Sequence, residues 1–149
     1  LLEAHHKKAL VLGNGGAAKA VFYILDELNI EYKIVSRNPT KNQLSYEDLN
    51  EEIVTEFQIL INCSPVGTFP NVENAPLLPY QFITNKHLLY DLIYNPAVTK
   101  FLENGQHNGA KIKNGYEMLV LQAEKAWMIF FRFIRFEEQN IFTYEHGIG

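Results

Sequence analysis

The sequence has a single cysteine, Cys63, so no intrachain disulfide framework can hold it. A reducing compartment fits that usage. It has no excess of positive charge. Its 13 Lys and Arg stand against 17 Asp and Glu, a formal net charge of −4. That argues against general affinity for nucleic acid or for an anionic membrane. Its histidines lack metal-ligand spacing: the five are scattered apart from the adjacent His5 and His6, and no metal site is expected. No signal peptide is visible, because residues 1–8 are polar and histidine-bearing. Nor is there an uninterrupted apolar run of membrane length. Residues 118–136 are rich in large apolar side chains, yet Gln122, Glu124, Lys125, Arg132 and Arg135 break them up. A helix buried on more than one side is expected there. Internal repeats and low-complexity segments are absent too.

What remains is the composition of a folded protein, 149 residues with 47% hydrophobic and 20% charged side chains. One domain is the default at this length. The chain opens on Leu1 rather than methionine, as expected of a processed chain or a piece of a longer one. Strands are expected at residues 9–12, 32–36, 59–62, 87–92 and 110–113. Helices are expected at 16–28, 99–107 and 116–136. Val21, Leu25 and Leu28 set the stripe of the first helix, and Asn29 is its stop. Residues 45–57 read ambiguously, with a short strand expected near Tyr46 followed by a helical turn over 50–54. Residues 64–81 form a long loop punctuated by Pro65, Gly67, Pro70, Pro76 and Pro79, and a long loop in a compact domain is usually functional. This alternation predicts an α/β fold: a Rossmann-like, doubly wound, mostly parallel sheet. The domain is expected over residues 1–131, with its core at about 9–130 and a tail over 132–149.

The most informative stretch is Gly13-Asn14-Gly15-Gly16-Ala17-Ala18-Lys19-Ala20, directly after the apolar run Ala9-Leu10-Val11-Leu12. A strand running into glycines and then a helix aims backbone N–H groups at a site where a pyrophosphate can sit. Gly13 suits the tight turn and Gly15 the close approach of phosphates. At the end of the next strand an NAD-binding domain carries an Asp or Glu for the ribose 2′-hydroxyl. Here Ser36 and Arg37 stand in that place, followed by Asn38 and Lys41. A guanidinium holds a 2′-phosphate that a carboxylate would repel, which favours NADP(H). An arginine on a plain exposed turn is the bland alternative.

Asn62-Cys63-Ser64-Pro65-Val66-Gly67 follows a strand at the sheet edge where ligands bind. Cys63 reads as a small buried residue rather than a nucleophile. Asp91 and Tyr94 read equally as ligand-orienting groups or as a turn cap and a core residue. Gly115 opens the last helix, where a cofactor ring can approach closely. Gln122 is an amide in an apolar run, ordinarily a satisfied core or surface residue.

Separated segments of the chain together resemble the C-terminal, NADP-binding half of the shikimate dehydrogenases. G-N-G-G-A-A-K-A at 13–20 is similar to that family's G-A-G-G-A-A-R-A, and Ser36-Arg37-Asn38 to its Asn-Arg-Thr. I-N-C-S-P-V-G at 61–67 is similar to I-N-x-T-P-x-G, and 90–96 with 114–123 resemble the last two blocks. The resemblance implies that Gly13, Asn14, Gly15, Gly16 and Ala17 wrap the pyrophosphate. It implies that Ser36, Arg37, Asn38 and Lys41 serve the 2′-phosphate. Cys63, Ser64, Pro65, Leu92, Gly115 and Met118 would line the path to the nicotinamide, and Tyr94 and Gln122 would face shikimate. Ser36 and Asn38 depart from the family's Asn and Thr. The family's catalytic Lys and Asp belong to an N-terminal substrate domain before the glycine loop. The resemblance therefore implies a cytoplasmic, NADP-dependent oxidoreductase of aromatic amino acid biosynthesis, reducing 3-dehydroshikimate to shikimate. These residues would be its cofactor half, binding NADP(H) without catalysing alone and prone to self-association through the last helix. A non-catalytic nucleotide-binding regulator and a quinate-type dehydrogenase are the competing readings.

Overall fold

A computed structural model describes the backbone of residues 1–145 and the side chains of residues 1–132. The chain divides into two compact units, Leu1–Tyr116 and Glu117–Gly149.

In the first unit, β1 (Lys8–Leu12) leads into α1 (Gly16–Glu27) and β2 (Glu31–Val35). A short α2 (Glu51–Glu56) precedes β3 (Ile59–Asn62). Then come β4 (Leu88–Asp91), α3 (Lys100–His107) and β5 (Lys111–Lys113). All five strands pair in parallel, in the order β2-β1-β3-β4-β5. Parallel strands need long crossovers, here α-helical at all but the β3-to-β4 connection, and the helices cover both faces of the sheet. Accordingly β1 is wholly buried from Ala9 to Leu12. Its alternate side chains enter two cores. Ala9 and Val11 pack with Ala18, Val21 and Leu25 of α1. Leu10 and Leu12 pack with Val54, Phe57, Phe101 and Leu102, from the α2 and α3 side. The expected doubly wound sheet is therefore the observed one.

Three local expectations need correction. No strand forms at Tyr46. Leu44 makes one isolated parallel bridge to Val35, and Tyr46–Asp48 is a turn of 3₁₀-helix. A reciprocal capping box explains the turn: the Ser45 hydroxyl accepts from the Asp48 N–H, and the Asp48 carboxylate accepts from the Ser45 N–H. The helical turn expected at 50–54 is α2, with the Asn50 side chain accepting from the Ile53 N–H at 3.0 Å.

The last helix, α4 (Tyr116–Glu145), runs on past residue 136. It is not the buried helix expected. Trp127, Met128, Ile129, Phe130 and Phe131 are each at least half exposed. Within its own unit Trp127 packs edge-on against Phe131, with ring centroids 4.8 Å apart.

Candidate functional site

The strand order reverses between β1 and β3. The crossover from β1 runs outward to β2, while β3 continues the sheet the other way. That reversal opens a crevice at the carboxyl ends of the two strands, where open α/β sheets bind ligands.

The loop after β1 forms one wall. Gly13 has φ +102°, and its N–H donates to the Val35 carbonyl at 2.8 Å. A Cβ there would lie 3.3 Å from the Ser64 backbone nitrogen. The left-handed conformation and the close neighbour both call for glycine. Gly15 caps α1 with no side-chain hydrogen bond, and the first turn carries no acidic residue. The free N–H groups of that turn are an anion site that no local carboxylate fills. A Cβ on Gly15 or Gly16 would meet nothing within 4 Å, so open space lies before the helix end.

Two compartments flank this loop. One, of about 600 Å³, is lined by Gly13, Asn14 and Gly15, by Ser36, Arg37 and Asn38, and by Cys63, Ser64 and Pro65. The other, of about 610 Å³, is lined by Gly15, Gly16 and Ala17, by the same Cys63, Ser64 and Pro65, and by Leu92 and Tyr94. The shared residues join the compartments into a groove across the sheet edge. Most of the residues singled out in the sequence thus come together.

Their duties differ in detail. Ser36 is buried, and its hydroxyl accepts from the Asn38 N–H at 3.2 Å. It shapes the turn that presents Arg37, which is exposed. Lys41 is exposed and stands outside the lining of both compartments. Gly115 does not line the groove but supports it. Its N–H donates to the Ile93 carbonyl, and a Cβ there would overlap the Leu92 carbonyl oxygen. Met118 and Gln122 belong to the second unit, where Gln122 is exposed on α4. Burial, with the Asp91 charge adding to it, pushes the Cys63 thiol up to about 12. It carries no thiolate near neutrality and is a poor nucleophile, in keeping with the reading from sequence.

Sequence reasoning missed Tyr46 and the stretch from Glu73 to Leu77, which close the compartment beside Arg37. It also missed Thr68, Phe69 and Asn95 in the other compartment. The length and proline content of the 64–81 loop were signals for Thr68, Phe69 and the 73–77 stretch. Burial raises the Tyr46 phenol pKa, and the nearby Arg37 charge opposes that shift. Among the described residues no cluster of His, Cys, Asp or Glu could hold a metal ion. No described helix is long and apolar enough to cross a membrane.

No family model matches the chain. It is 37% identical over 133 residues to the NADP(+) shikimate dehydrogenase of Clostridium botulinum, covering 84% of this chain and 51% of that protein. To the Clostridium beijerinckii enzyme of the same name it is 42% identical over 125 residues, covering 79% of this chain and 46% of that one. Among solved structures it is similar to the shikimate 5-dehydrogenase of Thermus thermophilus in complex with NADP(H) and shikimate. The TM-score there is 0.68, at 29% identity, over 81% of this chain and 48% of the other. The chain spans about half the length of the curated relatives it matches.

Proposed function

This chain belongs to the shikimate dehydrogenase family over about half of that family's length, and on that premise we propose that it is an NADP(H)-binding domain of such an enzyme. The observation that carries the proposal is the meeting of the glycine loop and Arg37 in one compartment at the strand-order reversal. Gly13 to Ala17 would hold the pyrophosphate on the free N–H groups of α1. Arg37 and Asn38, with Lys41 from outside the lining, would hold the 2′-phosphate on the turn that Ser36 shapes. Cys63, Ser64 and Pro65 would floor the groove. Leu92, with Gly115 behind it, would serve the nicotinamide end, and Tyr94 the substrate side.

NADP(H), when bound, supplies or accepts the hydride, and the reaction class is reduction of 3-dehydroshikimate to shikimate. The groove lining contains no lysine, the residue type that the family resemblance assigns to the accompanying proton transfer. The 149 residues tested alone would therefore bind cofactor without turning over shikimate. A cytoplasmic setting and self-association through α4 complete the reading.

Titration of the chain with NADPH and NADH tests it. NADPH should bind more tightly, and Arg37→Ala should weaken NADPH about 10- to 100-fold while leaving NADH nearly unchanged. Equal affinity for the two cofactors would remove the 2′-phosphate from the proposal.

A further inference from the structure

Beneath the groove Asp91, Asn62 and Thr99 form a buried polar core that lines neither compartment but is bonded to Ser64 and Ile93, which do. Asp91 ends β4 and is wholly buried. Its Oδ1 accepts from the Asn62 side-chain amide at 3.0 Å and from the Ile93 N–H at 3.1 Å. Its Oδ2 accepts from the Thr99 hydroxyl at 2.5 Å. Asn62, at the end of β3, is equally buried. The Asn62 Oδ1 accepts from the Ser64 N–H at 3.0 Å and from the Ser64 hydroxyl at 2.6 Å. Its Nδ2 reaches the Val66 carbonyl at 3.3 Å.

The chemistry of these groups gives the network a direction. A carboxylate only accepts, so it draws the NH₂ side of Asn62 towards itself. The carbonyl side of Asn62 must then face Ser64. A flipped Asn62 would set oxygen against oxygen and release Ser64. The same carboxylate holds Ile93 in the opposite wall of the second compartment, and its partner Thr99 caps α3. One buried side chain thus fixes two facing walls of the groove.

We propose that Asp91 is a positioning residue for the dinucleotide groove, acting through Asn62 on Ser64 and directly on Ile93. This rests on the cofactor reading given above. Asn at position 91 would keep an oxygen for Asn62 and Ile93 and give its NH₂ to the Thr99 hydroxyl. Ala would leave the Ile93 N–H and the Thr99 hydroxyl without the acceptor Asp91 supplies and Asn62 with only the Val66 carbonyl, a costly state for buried groups.

The experiment combines NADPH titration with amide hydrogen exchange on the whole 149-residue chain and three variants. Asp91→Asn should keep NADPH affinity within about twofold and leave the Ser64 and Ile93 amides as protected as before. Asp91→Ala should raise Kd about tenfold and speed exchange at Ser64 and Ile93 while the β1 amides keep their rates. Thr99→Val removes one hydrogen bond of the network together with the α3 cap on the Leu102 N–H. It should shift both readouts the same way by a smaller factor, and it decides the question if Asp91→Ala does not fold. Unchanged exchange at Ser64 and Ile93 in the Ala or Val variant would overturn the proposal. So would an Asn variant as weakened as the Ala one. Failure of the unaltered chain to bind NADPH would sink the cofactor reading, and exchange without cofactor would still decide the role of Asp91.

Discussion

At the scale of single residues, the groove depends on positions where a side chain would be in the way as much as on those where one is needed. Gly115 is the sharpest case, because its Cα faces the Leu92 backbone too closely for any Cβ. Gly115→Ala must push β5 and the β4 loop apart. It should cost about 1–3 kcal/mol of stability in urea unfolding, the usual penalty of overpacking. The sequence offered a related reason for this glycine, close approach, but placed a cofactor ring there and not a neighbouring strand end. Ser36 changed meaning in the same way. Read in sequence it was a candidate phosphate contact, and in the fold its hydroxyl accepts from the Asn38 N–H. Arg37 is exposed just beyond the end of β2 and lines the same compartment as the glycine loop.

At the scale of elements, the strands with continuous apolar runs were legible and the capped turn at Tyr46–Asp48 was not. β1 and β3 are buried on both faces, so their composition has no competing interpretation. The 45–57 stretch carries side chains whose hydrogen bonds decide its form. Ser45 with Asp48 makes a 3₁₀ turn where a short strand was expected near Tyr46, while Asn50 with Ile53 caps the helical turn that was expected over 50–54. The helix α4 is the opposite case, easily recognised but wrongly expected to be buried. Its Trp127, Met128, Ile129, Phe130 and Phe131 are each at least half exposed, and exposed apolar surface of this kind favours association. Light scattering should show the chain associating as its concentration rises. Replacing Trp127 and Phe131 by serine should reduce the effect, and a concentration-independent monomer would count against it.

At the scale of the whole molecule, the buried carboxylate of Asp91 ties the stability of the fold to pH. Burial raises its pKa from 3.8 to about 6, against the lowering effect of its hydrogen bonds from Thr99, Ile93 and Asn62. The ionisable groups bearing on it are the Cys63 thiol and the Tyr80 phenol, and burial keeps both neutral near pH 7. The fold therefore favours protonated Asp91 more than the unfolded chain does. That contribution is complete below about pH 4 and is lost as pH rises through 6. It is on the order of 3 kcal/mol. The surface carboxylates of Glu3, Asp48, Glu56 and the half-buried Glu103 have lowered pKa values and act in the opposite sense. The clean measurement is a comparison with Asp91→Asn across pH 4 to 7 by urea unfolding. The unaltered chain should lose stability relative to the variant over that range, and a flat difference would refute the assignment.

The sequence by itself determined the parallel α/β architecture, the glycine turn into α1 and the positive charge at the end of β2. Each follows from local order: an apolar run, a residue without a Cβ, a guanidinium one strand later. Only the tertiary structure decided which loops face one another. Tyr46 and residues 73–77 meet Arg37, and Asp91 reaches Asn62 across 29 positions of chain, because the sheet places β3 between β1 and β4. Strand order is a property of crossovers and packing, and no local pattern of residues encodes it.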